Sequence, residues 1–173
     1  MRNFTKLFAL AIGMIGYSAT SFAQTDVKTQ QASASATIIT PIAITKVNDM
    51  NFGNIVSTAT GGTVILSTAS GRTESGVQLG AVAGTVTAAS YTVTGESGYA
   101  YTVTLPNDGY AITTGAGGVT EKMTLTRFNS SSTGNLTSSS FTLSVGATLN
   151  VVANQAAGVY TNATPFNVSV NYN

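Results

Sequence analysis

Tyr99-Ala100-Tyr101-Thr102-Val103-Thr104-Leu105-Pro106-Asn107-Asp108-Gly109 is the stretch that sets the fold class. Tyr99, Tyr101, Val103 and Leu105 fall on one parity, with small or hydroxylated residues between them. A period of two places alternate side chains on opposite faces, so this is a strand with one face in a core. Pro106 cannot donate to a ladder, and Asn107-Asp108-Gly109 supplies a tight turn.

The same pattern continues in both directions. Upstream, Tyr91 and Val93, Val77 and Leu79, Val64 to Leu66, and Met50 and Phe52 form short apolar runs bounded by Gly, Ser or Asn. Ile38, Ile39, Ile42 and Ile44 predict a first strand that kinks at Pro41. Downstream come Tyr110 and Ile112, and then Val119, Met123 and Leu125, with Glu121 discordant on the apolar parity. Phe141, Leu143 and Val145 alternate, Gly146 intervenes, and Leu149 and Val151 resume. Phe166, Val168, Val170 and Tyr172 close the series. Nine or ten short strands with frequent turns predict an all-β antiparallel sandwich, with an up-and-down barrel as the alternative.

Residues 1–23 read as a cleavable leader. Arg2 and Lys6 precede an apolar run from Leu7 to Tyr17, and Ser21-Phe22-Ala23 offers small residues at the cleavage positions. The run is shorter than the roughly 20 residues of a membrane span. The expected organisation is a signal peptide over 1–23, a flexible polar extension over 24–35 and one domain over 36–173. The expected destination is the periplasm or surface of a Gram-negative bacterium, with no transmembrane segment in the mature chain.

Composition narrows the chemistry. From Gln24 onward, five Lys and Arg face six Asp and Glu, so no basic field exists to hold a nucleic acid. The chain has no His and no Cys, which leaves no thiol nucleophile, Ser-His-Asp triad, disulfide or common zinc site. Asp49, Glu96 and Asp108 sit among turn residues. Asn48, Asp49 and Asn51 form the only cluster suited to a cation, and an Asx-turn explains it more simply. No catalytic residue, metal or cofactor is expected.

Three functional readings remain. The first is a surface subunit that polymerises by strand addition. Its acceptor edge is the C-terminal strand, Phe166, Val168, Val170 and Tyr172. Its donor is the extension carrying Val27, Ala32, Ala34 and Ala36. The partners would then be further copies of the chain and a periplasmic chaperone and usher. The second is a monomeric adhesive module that binds a glycan on an aromatic face of Tyr91, Tyr99 and Tyr101. The third is a hydrolase using two of Glu74, Glu96 and Glu121.

A family resemblance adds to this. Thr37 to Lys46 followed by Met50 to Val56, then Tyr91 to Glu96, Tyr101 to Pro106, Val145 to Val151, Asn154 to Tyr160 and Phe166 to Asn173 resemble the blocks of an exported bacterial family, domain of unknown function 4402. That family is similar in outline to spore-coat-U and chaperone–usher pilin subunits. The resemblance implies an immunoglobulin-like, pilin-like sandwich of about nine strands and a structural, non-enzymatic role.

Overall fold

The computed structural model describes residues 27–115 and 118–173. The expected leader and the first residues of the extension lie outside them. The chain divides at residue 37 into two units. Residues 27–37 of the first are exposed and carry neither helix nor strand.

The second unit is an antiparallel β-sandwich. Its strands are β1 (Ala43–Asn48), β2 (Asn51–Phe52), β3 (Ile55–Val56), β4 (Gly62–Leu66), β5 (Arg72–Ser75), β6 (Gln78–Leu79) and β7 (Val86–Thr87). They continue as β8 (Ala89–Thr94), β9 (Tyr101–Thr104), β10 (Tyr110–Thr113), β11 (Lys122–Ser130), β12 (Ser140–Val151) and β13 (Ser169–Tyr172). Nine of these have four residues or more, in keeping with the expected number, and four are two-residue pairings.

Strand β12 organises the molecule. It is twelve residues long, and its two halves have different neighbours. Ser140–Val145 pairs with β8, whereas Ala147–Val151 pairs with β4. Strand β11 runs along the opposite edge. One continuous sheet therefore holds β1-β8-β12-β11-β10, with β4 and β5 joined through the far half of β12. Strand β13 pairs with β9 in a separate ribbon.

The odd residues of β12 feed two core clusters. Leu143 and Val145 join Ala89, Tyr91 and Val93 in one. Ala147, Leu149 and Val151 join Val64, Leu66, Met123 and Leu125 in the other. Each such side chain taken from water stabilises the fold by about 1.5–3 kcal/mol. Met50 and Phe128 pack against both clusters.

Phe128 reaches inward because of a bulge. The β11–β12 register shifts between Thr126 and Asn129, where Arg127 adopts φ 51°. The extra residue changes parity, so Met123 and Leu125 are followed inward by Phe128 rather than Arg127. The carboxylate of Asp108 accepts the Arg127 N–H at 2.6 Å and holds the bulge. Gly146 stands opposite, paired with Asn129. A Cβ at Gly146 would overlap the Leu66 carbonyl. The glycine read as an interruption thus lies inside a continuous strand, at the point where β4 takes over from β8.

Two expected strands are shorter. Pro41 ends nothing and kinks nothing: β1 begins after it, at Ala43, and Ile38 is left exposed. Val119–Glu121 forms a 3-10 turn before β11, which removes the discord of Glu121.

Gly146→Ala is predicted to cost about 1–3 kcal/mol through overpacking against β4. Urea unfolding followed by circular dichroism checks this, and an unchanged midpoint would refute it.

Candidate functional site

A cleft lies over β10, β11 and the far half of β12. Ile112, Met123, Leu125, Leu149 and Val151 form an apolar floor there. Met50, Phe52 and Ile55 make one wall, and Ala156, Tyr160 and Phe166 belong to the other. Between the walls lies a cleft of about 930 Å³.

Each wall is held from its outer side. Strand β2 pairs with β7 and β3 with β6. The Arg72 guanidinium donates to the carbonyls of Phe52 and Asn54, which ties this wall to β5. The other wall is stapled by Gln155, which is buried. Its carbonyl accepts from the Val152 N–H at 3.1 Å, and its amide donates to the Thr120 carbonyl and to the Tyr160 hydroxyl. The Tyr160 hydroxyl lies 2.8 Å from the Thr120 carbonyl and 2.6 Å from that of Ala156. Thr161 exchanges two backbone hydrogen bonds with Thr113 of β10.

The polar groups around the cleft are largely engaged. Lys46 pairs with Asp49 at 2.7 Å. Asn51 accepts the Gly53 N–H at 2.8 Å, and Asn48 donates to the Ser90 hydroxyl at 2.8 Å. The cluster considered for a cation is thus an Asx-turn, an ion pair and a cross-strand contact. What the cleft offers a guest is mainly apolar surface.

The predicted acceptor residues separate. Phe166 lines the cleft. Val168 and Val170 are half-buried against the cluster of Tyr91, Val93 and Leu143. Tyr172 forms a clasp. Its hydroxyl accepts the Glu96 N–H and donates to the Thr40 carbonyl at 2.9 Å. The Glu96 carboxylate accepts the Thr40 N–H at 3.2 Å. The Tyr172 ring tilts against Tyr99 with centroids 5.8 Å apart.

The predicted aromatic face does not form. Tyr91 and Tyr101 are 8% and 2% exposed, while Tyr99 is 42% exposed. Strand alternation turned the first two inward, where Tyr101 packs on Phe141 and its hydroxyl accepts from the Ser132 hydroxyl at 3.0 Å. Burial, aided by the nearby Asp49 charge, pushes the Tyr91 phenol up. Of the predicted donor residues, Val27, Ala32, Ala34 and Ala36 are all exposed. The acids proposed for hydrolysis fall on separate elements: Glu74 on β5, Glu96 in the clasp and Glu121 in the 3-10 turn.

Residues 42–172 match the model of the family described as Domain of unknown function (DUF4402). The chain belongs to that family. No curated protein and no solved structure matches it. The matched span of the DUF4402 domain begins after Pro41, takes in both walls and the floor of the cleft, and ends at Tyr172 of the clasp.

Sequence reasoning missed the cleft. Met123 and Leu125 are buried core residues as expected and Ile112 is half-buried against them, and nothing in their alternation shows that a cleft lies above.

Tyr172→Phe keeps the ring but removes the bridging hydroxyl, and is predicted to cost about 1 kcal/mol. Hydrogen bonds from Thr40 hold the Glu96 carboxyl below its ordinary value of 4.5. A depressed folded value adds stability above the ordinary value, and that stability is lost as pH falls through the folded one. Glu96→Gln should therefore shallow the loss of thermal stability on acidification below about 4.5. An acid limb identical to the parent's would contradict the clasp.

Proposed function

We propose that this protein is an exported, non-enzymatic structural subunit that assembles at the cell surface by accepting a strand into the cleft. The observation that carries the reading is the cleft of about 930 Å³ between the segments around Met50–Ile55 and Ala156–Phe166, with apolar side chains from both along its sides. Its floor comes from the same strands that build the core, and its walls are the segment holding β2 and β3 and the segment between β12 and β13. A strand laid there would pack on the half-buried side chains of Met50, Ile55, Ile112, Tyr160 and Phe166, above a floor that is already core. This is β-augmentation: backbone pairing supplies affinity, and alternate side chains in the cleft supply specificity.

The leader-like residues 1–23 support export, and a surface role would follow from the outline that the sequence resemblance implies, that of pilin and spore-coat-U subunits. A cleft on one part of a subunit filled by a segment from another makes a head-to-tail contact, which propagates into an open filament. A periplasmic chaperone and usher would cover the cleft before assembly. The chain's own chemistry favours structure over catalysis, since it has no His and no Cys and its acids serve turns, a bulge and the clasp.

A strand-exchanged polymer has high kinetic stability. Envelope and shed material should give a ladder on denaturing electrophoresis when unboiled and one subunit band when boiled. Deleting 24–35 should leave the fold and remove the ladder. A monomer band in both lanes of the parent sample would overturn the reading.

A further inference from the structure

We propose that the strand entering the cleft is Ala32–Ile38 of a second copy, with Ile38 as its anchor. This rests on the strand-addition reading and assigns its occupant. Ala32, Ala34, Ala36 and Ile38 fall on one parity, with Ser33, Ser35 and Thr37 between them. The alternation of Ala32, Ala34 and Ala36, which excludes Val27, gains a large aliphatic side chain once it is followed two residues further. Seven extended residues span about 23 Å.

Ile38 is 98% exposed, whereas its neighbour Ile39 is partly buried. Isoleucine is among the residue types most often buried, so a fully exposed one beside an inward-facing one asks for a partner. Thr40 fixes where this segment leaves the sandwich. Its N–H is bound by Glu96 and its carbonyl by the Tyr172 hydroxyl, and backbone pairing of β1 starts only at Ala43. Residues before Thr40 therefore depart from a fixed point with Ile38 turned out.

The chemistry of the cleft suits this strand. Thr29 to Thr45 contains no charged residue. The charges at the cleft, Lys46 and Asp49, already neutralise each other at 2.7 Å. Insertion thus buries no unpaired charge, which would otherwise cost several kcal/mol. The alanine methyls let the entering backbone come close to the wall edges. The isoleucine fills space beside Met50, Ile55, Ile112 and Phe166, apolar side chains that line the cleft and stay half-buried in the isolated subunit. Each copy carries both this segment and this cleft, so the contact is head-to-tail and can repeat.

The test uses the full chain, produced with its own leader, as parent, Ile38→Ser and Ile38→Leu. Unboiled denaturing electrophoresis reads the polymer, and thermal melting of the soluble subunit reads the fold. Removing the buried aliphatic group should weaken the contact about 10- to 100-fold, so Ile38→Ser loses the ladder and Ile38→Leu keeps it. Because Ile38 is exposed in the isolated subunit, the Ile38→Ser melting midpoint should match the parent's. A lowered midpoint would mean that Ile38 is seated in its own domain, and would overturn the assignment. A full ladder in Ile38→Ser beside one in the parent would also overturn it while leaving strand addition intact. A ladder whose step differs from the subunit mass would give the cleft to another protein's strand. No ladder in the parent would remove the strand-addition reading and the anchor with it.

Discussion

The structure depends on the handover along β12. One strand pairs with β8 over its first half and with β4 over its second, and Gly146 is where the change occurs. The close approach of Leu66 excludes any side chain there. Opposite, the bulge at Arg127 resets parity so that Phe128 reaches the core. These two local features let a single sheet curl around two clusters. They also leave its inner face too broad for the short segments that cover it.

The cleft follows from that mismatch. At one end the β9–β13 ribbon covers the Tyr91, Val93 and Leu143 cluster, and the Tyr172 clasp fastens it. Toward the other end, the segments 50–57 and 155–166 are drawn outward by their own partners: β7 and β6 on one side, β10 and the Thr120 carbonyl on the other. Apolar side chains stay half-buried between them. Hydrophobic burial is the main favourable term in folding and association alike, so the half-buried apolar side chains along this cleft favour a guest that brings its own.

Much of the fold was legible in the sequence because period-two alternation is a direct image of a half-buried strand. Tyr101 to Leu105, Met123 and Leu125, and Phe141 to Val145 read correctly. The alternation could not reveal that Val145 to Val151 runs through Gly146, since a glycine for close approach looks like a turn. The same alternation puts Tyr91 with Val93 and Tyr101 with Val103 on the core face, so it argues against the aromatic binding face that was read from those residues. The run at Ile38 to Ile44 also misled. Adjacent isoleucines state that something is buried, not by which molecule. The cleft was least visible, because nothing in the alternation shows that one lies above the floor.

The most direct test compares amide hydrogen exchange in the isolated subunit and in assembled material, residue by residue. Strand addition predicts that exchange slows on assembly along Met50 to Ser57 and Gln155 to Phe166, while the β8–β12 pairing is unchanged. Equal exchange along both walls in the two states would contradict it.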